Sequence, residues 1–343
     1  MRTFEQHTGK AVENERFSHM MAIALDPNSQ YKKGVIRCIT SREGDVDTKG
    51  YIDKSELYTI SGETLEKFSV GEQLQIKNEQ EILDRLDSKE WNFIGLEDPD
   101  IFVDDKTGLT HLYFTMPLLN KDKTKEQALI NLGHAVGKSL DSLEMTMPAL
   151  QADAKNTAKE VSIAPINSKG IRYNLIESSS IENKIWYSTV RVAIATDMGA
   201  PWQFGPTVFH PAEHKIPWIG GHASPGPLFS KQFIDVGEGK ALGIINGREA
   251  NRYEEGKTLY GTFSVGLFIY DYENGKIDWV SPKPFIQDTE ARTITFASQF
   301  VETKPGEGIL YAHVDDSFVR AYTLYADGIR QLLPQNKRRR LLF

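Results

Sequence analysis

VGLFIYDYENGKIDWVSPKPF, residues 265–285, reads as two short strands joined by a turn. Aliphatic and aromatic residues run to Asp271. Glu273-Asn274-Gly275-Lys276 follows, and Asn-Gly tolerates the positive φ of a tight hairpin. Three other stretches have the same shape: SELYTISGETLEKFSVGEQL from Ser55, GHAVGKSLDSLEMTMPAL from Gly133, and VRVAIATDMGAPWQFGPTVF from Val190. Each predicts an outer β-hairpin, and they recur at roughly sixty- to eighty-residue intervals. Between them lie HLYFTMP from His111, KIWYST from Lys184, KALGIING from Lys240 and GILYAHV from Gly308, which predict inner strands. Antiparallel units repeated in this way predict an all-β chain, a five-bladed β-propeller. EQEILDRLDSKEW, from Glu79, has helical spacing at Ile82, Leu83 and Leu86 and predicts one local helix or loop. No linker interrupts the chain. One domain over residues 1–343 is expected, with 1–20 as an N-terminal extension and 335–343 as a basic tail.

Of the 343 residues, 40% are hydrophobic and 25% charged, enough for a sizeable core. The formal net charge of −7 argues against a nucleic-acid partner, because phosphate backbones need clustered Lys and Arg. The basic run Lys337-Arg338-Arg339-Arg340 reads as a solvated tail; the lesser reading is contact with an anionic surface or with a neighbouring subunit, which would make a homo-oligomer. A single cysteine, Cys38, permits no intramolecular disulfide and suits a reducing compartment. No apolar run approaches the roughly 20 residues that span a bilayer. The N-terminus lacks a secretory h-region. These features predict a cytoplasmic chain without a membrane partner.

Between two of the hairpins lies GLEDPDIFVDD, residues 95–105, with five carboxylates in a strand-like frame. Like charges in a packed strand repel one another and lose hydration. A propeller resolves the conflict, since strand ends there face a water-filled axial channel. Pro99 lacks an N–H and suits a strand's start. The stretch therefore reads as a loop presenting Glu97 and Asp98 to a pocket, then a strand at Ile101–Val103. Asp104 and Asp105 open an ordinary turn. Two carboxylates at one pocket suit glycosidic cleavage, in which one acid protonates the leaving oxygen and an ionised partner activates water or attacks the sugar.

The order of several motifs resembles glycoside hydrolase family 130, propeller enzymes that phosphorolyse or hydrolyse β-mannosides. Glu97-Asp98-Pro99-Asp100 stands where the family has Glu-Asp-Pro-Arg. WIGGHASPGP from Trp218 is similar to its Gly- and Pro-rich segment, the 265–285 hairpin to its outer hairpin, and His313-Val314-Asp315-Asp316-Ser317 to its last-blade Asp segment. The resemblance implies an oligosaccharide substrate and an inverting mechanism. It also implies Asp98 as general acid, Glu97 as its brace or a sugar contact, and Asp316 on sugar hydroxyls. Asp100 replaces an Arg that holds phosphate, and Asn246-Gly247-Arg248 replaces a phosphate-linked Tyr-His-Gly. Arg248 restores one cation. These departures favour hydrolysis over phosphorolysis. The base is open between Glu177, in NLIESSS, and Glu249, after Arg248. Family 43 offers a second analogy, with Asp26 of IALDPN as base, Glu177 as acid, and arabinosides or xylosides as substrates. A sugar-binding propeller without catalysis is a third reading.

His222, in Gly-Gly-His-Ala-Ser-Pro, and Arg42 are further candidates to touch sugar. The eight histidines show no metal-ligand spacing, and neither a phosphate loop nor a dinucleotide fingerprint is present. No metal or cofactor is expected.

Overall fold

The computed structural model describes residues 1–44, 51–86, 89–122, 128–153, 155–183, 185–199 and 201–334. The basic run at 337–340 lies outside them. The chain is mostly β, and five strands converge on the centre of the molecule: β1 (Met20–Leu25), β2 (Glu97–Val103), β3 (Lys159–Ser162), β4 (His222–Leu228) and β5 (Thr295–Lys304). Each opens an antiparallel series that runs outward in chain order. β2, for instance, is followed by Thr110–Asn120, Ala128–Gly137 and Glu144–Met145. The predicted outer hairpins are all present, including Phe263–Asp271 paired with Lys276–Val280. Its turn spans four residues: Asp271 accepts from the Asn274 amide, and Gly275 takes φ +63°.

The assignment of inner strands needs correction. HLYFTMP, KALGIING and GILYAHV lie in the second strand of their series, and KIWYST belongs to the third, Ile185–Ala195. A second strand is hydrogen-bonded on both edges and packed on both faces, so it carries the most regular apolar pattern. Along Thr110–Asn120, Leu112, Phe114 and Met116 pack toward the first series, while Tyr113 packs toward the third. The true inner strands read poorly because each carries a bulge. Register shifts fall at Met21/Ile23, Glu97/Asp100, Lys159/Val161, Pro225/Leu228 and Ala297/Gln299. An extra residue bends a strand and breaks its alternation.

Apolar clusters fill the space between neighbouring series. They join the first to the second, the second to the third, the third to the fourth and the fourth to the fifth. A further cluster joins the fifth to the first, with Val301, Tyr311 and Val319 against Ile23, Ile36 and Cys38. β1 to β5 surround an axial cavity of about 150 Å³. The first twenty residues are not an appendage, because Phe4–Gln6 pairs with Phe318–Tyr325 and so ties the N-terminus to the last series. The helix foreseen near residue 80 is Glu79–Leu86, with Ile82 buried. Among the described residues no helix is long and apolar enough to cross a membrane.

Gly95 sets the approach to β2. It has φ +140°, and a Cβ there would meet the Ser55 carbonyl oxygen at 2.1 Å. Both the strain and the clash are in rigid backbone. Gly95→Ala is therefore expected to cost about 2–4 kcal/mol in urea unfolding, the range of severe backbone substitutions.

Candidate active site

Above the axial cavity opens a cleft of about 290 Å³, with Asp98 and Glu160 at its base and Arg37, His222, Arg248 and Asp316 among its walls. The bulge in β2 delivers Asp98, which has φ +46°. Non-glycine residues in this left-handed region are strained, and such strain concentrates at functional sites.

Arg37 organises the two acids foreseen in the sequence. Its Nη1 donates to Asp98 Oδ1 at 2.8 Å and its Nη2 lies 2.9 Å from Glu97 Oε1. Its Nε donates to the Ser55 hydroxyl, which donates in turn to the Leu96 carbonyl. One buried guanidinium thus clamps the β2 acids to the first series. Burial raises the Glu97 carboxyl most, Arg37 opposes this, and Asp98 adds to it; the result is about 7.

On the opposite side, Glu177 is almost wholly buried. His222 Nε2 lies 3.0 Å from its Oε2, and Lys159 Nζ lies 3.2 Å from its Oε1. Burial pushes this carboxyl up, but His222, Lys159 and the Ser188 hydroxyl outweigh it and hold Glu177 well below the usual range. Burial lowers His222, and Glu177 opposes this from 3.0 Å. Asp316 is also kept low. Burial acts upward, and His313, with Nε2 at 3.1 Å, leads the groups that overcome it, followed by Arg37 and Arg42.

Arg248 has no such partner. Its guanidinium stacks over Tyr260 at 4.4 Å and Phe263 at 5.4 Å, and its buried Nε has no hydrogen-bond partner. Among the described residues it forms no ion pair, and burial lowers its pKa.

The structure brings Asp98, Asp316, His222 and Arg248 together on one cleft, while Glu97 stands behind the wall on the far arm of the Arg37 guanidinium. Arg42 stands one layer out, chelating Asp53 at 2.7 Å twice and donating to the Asp316 carbonyl at 3.2 Å. Glu177 sits behind Lys159 and His222 rather than on the cleft wall. Two candidates fall away. Glu249 is exposed and accepts from the Thr262 amide, because the chain leaves the strand right after Arg248. Asp26 caps the turn Pro27–Ser29 through the Asn28 amide. It lies at the far end of β1 from Met21, a cleft residue, by five strand steps or roughly 16 Å.

Arg37, Lys159 and Glu160 were not foreseen. A lone Arg in the apolar run GVIRCIT signals a buried, paired cation. Lys159-Glu160 ahead of VSIAP repeats the arrangement of Glu97-Asp98 ahead of its strand. Among the described residues no group of three or more His, Cys, Asp or Glu is placed to hold a metal ion.

Asp100 faces the axial cavity, not the cleft. Burial pushes its carboxyl up to about 7, against about 4 in an unfolded chain. Between those values the folded chain keeps a proton that the unfolded chain releases. This stability is complete below about pH 4 and is lost as pH rises toward 7. Asp100→Asn should therefore gain stability relative to the parent between pH 5 and pH 8. Urea midpoints at both pH values check this, and a relative loss at pH 8 would contradict it.

No family model matches the chain. No curated protein matches it either. Solved structures do. The chain is similar to a β-1,2-mannobiose phosphorylase from Listeria innocua, with TM-score 0.66, 12% identity, and 96% of this chain and 99% of that one covered. It is similar to a family 130 structure reported for glycoside hydrolases that target β-1,2 mannosidic linkages in Candida mannan, with TM-score 0.63, 17% identity and 93% of each chain covered. It also matches an endo-arabinase from Bacteroides thetaiotaomicron, with TM-score 0.53, 12% identity, and 92% and 97% covered. At these identities the likeness establishes a shared propeller-type fold.

Proposed function

We propose that the chain is a five-bladed propeller glycosidase that hydrolyses β-mannosides, or related short oligosaccharides, with inversion. The observation that carries hydrolysis is the balance of charge around the cleft. Arg37 is taken up by Glu97 and Asp98, Lys159 by Glu177, and Arg42 by Asp53. Asp316 and Glu160 add further carboxyl groups. An incoming phosphate would meet mostly acids. Water meets no such barrier.

The acid pair Asp98–Glu160 at the base supplies a proton for the leaving oxygen. Asp316, ionised and facing the same cleft, takes the place of Glu177 and Glu249 as base and draws a proton from the attacking water. Glu177 orients Lys159 and His222, which line the wall for sugar hydroxyls.

Arg248 favours a second reading. A buried cation without a counter-ion suits an anion, and phosphate there would make the chain a phosphorylase. A panel including β-1,2-mannobiose, xylobiose and arabinobiose, with and without inorganic phosphate, separates the readings by product chromatography. Free mannose at equal rates in both buffers is expected. Mannose phosphate formed only with phosphate would establish phosphorolysis. Pentose release alone would favour the arabinosidase reading, and no release with binding intact would leave a sugar-binding protein.

A further inference from the structure

Two carboxyl groups form the base of the cleft, and only one has a cation of its own. Asp98 receives the Arg37 guanidinium at 2.8 Å. Glu160 lines the same cleft base and axial cavity as Asp98, Asp98 raises its pKa, and among the described residues it makes no ion pair. Two neighbouring carboxyls repel when both are ionised, so one of them favours keeping its proton. Arg37 stabilises negative charge on Asp98, so the proton belongs to Glu160.

We propose that Glu160 is the proton donor of the cleavage and Asp98 the carboxylate that positions it, an assignment that rests on the glycosidase reading. Both residues occupy the same place in successive inner strands. Asp98 sits in the β2 bulge at φ +46°, and Glu160 sits in the β3 bulge at φ +49°. The corresponding bulge in β1 holds Ala22, at φ +49°, which has no group to offer. Among the described residues, Asp98 and Glu160 are the only two that line both the cleft and the axial cavity. Strain in two equivalent bulges aims two acids at one point.

The charges around Glu160 favour its protonated form. Burial raises its pKa most, Asp98 and Glu177 add to this, and Lys159 opposes it without prevailing. The other titratable groups on the cleft are Arg37, Tyr51, His222, Arg248, Tyr260, His313 and Asp316. In the reaction, the Glu160 O–H proton passes to the glycosidic oxygen as the anomeric C–O bond breaks, its electron pair leaving with that oxygen. Water forms the new bond to the anomeric carbon and gives its proton to Asp316. Solvent returns a proton to Glu160 and takes one from Asp316.

The test compares Glu160→Gln and Asp98→Asn on the cleaved disaccharide and on 2,4-dinitrophenyl β-mannoside, whose leaving group needs no proton. Glu160→Gln should lose at least 100-fold on the disaccharide, stay within about tenfold of the parent on the aryl mannoside, and lose the alkaline limb of its pH profile. Asp98→Asn keeps the proton donor, so its alkaline limb should move to lower pH and its disaccharide activity should partly recover there. A disaccharide rate near the parent's in Glu160→Gln would overturn the assignment. So would an unshifted limb in Asp98→Asn. If Glu160→Gln does not fold, Glu160→Ala decides, since alanine already occupies the equivalent β1 bulge: an unchanged disaccharide rate overturns the proposal, and a selective loss on the disaccharide upholds it. A parent chain silent on both substrates would remove the glycosidase reading itself, and this assignment with it.

Discussion

Arg37→Met is expected to lose about 3–5 kcal/mol of stability at pH 8, the usual cost of stranding buried charge. The guanidinium answers two carboxylates at 2.8 and 2.9 Å and ties β2 to the Ser55 hydroxyl of the first series. Methionine fills similar volume without charge. Glu97 and Asp98 then face each other with no cation between them. The loss should shrink at pH 5, where protons can neutralise the pair; Glu97, at about 7 with Arg37 present, rises further without it. Urea midpoints at the two pH values check both parts. An equal small loss at each pH would mean that the clamp contributes little.

Asp98→Asn should lower kcat at neutral pH by about 10²–10⁴-fold, the usual contribution of acid–base groups, with a much smaller change in KM. The substitution is nearly isosteric and keeps an acceptor for Glu160, so the bulge should survive. What disappears is the negative charge that holds the proton on Glu160. Steady-state kinetics on the cleaved disaccharide measure this. A kcat within threefold of the parent would exclude Asp98 from the reaction.

The outer hairpins could be read directly because each has a local cause, a turn residue flanked by strand formers. The cap at Asp271 and the positive φ of Gly275 are of that kind. The inner strands could not, because their form comes from the axis they surround. Their bulges and prolines interrupt alternation, so β4, His222–Leu228, reads as a loop. At the site, Asp98 stood out because an acid in an apolar frame needs an explanation, and Asp316 only through the resemblance of its segment to a family 130 motif. Glu160 did not, since Lys159-Glu160 looks like any solvated pair until β3 turns it toward the axis. Glu249 misled for the opposite reason. It follows Arg248 in sequence, but the chain leaves the strand there and its side chain reaches solvent. Arg42 and Arg37 lie on one strand, Lys33–Glu43, and the buried one clamps the acids.

Cleavage with inversion requires a cleft in which one acid gives a proton while an ionised carboxylate drives water in from the other face. The anomer formed first from a β-linked mannobiose, followed by proton NMR before mutarotation, tests this most directly. Free α-mannose as the initial product, at a rate indifferent to phosphate, is predicted. Initial β-mannose, or a sugar phosphate in place of free mannose, would contradict it.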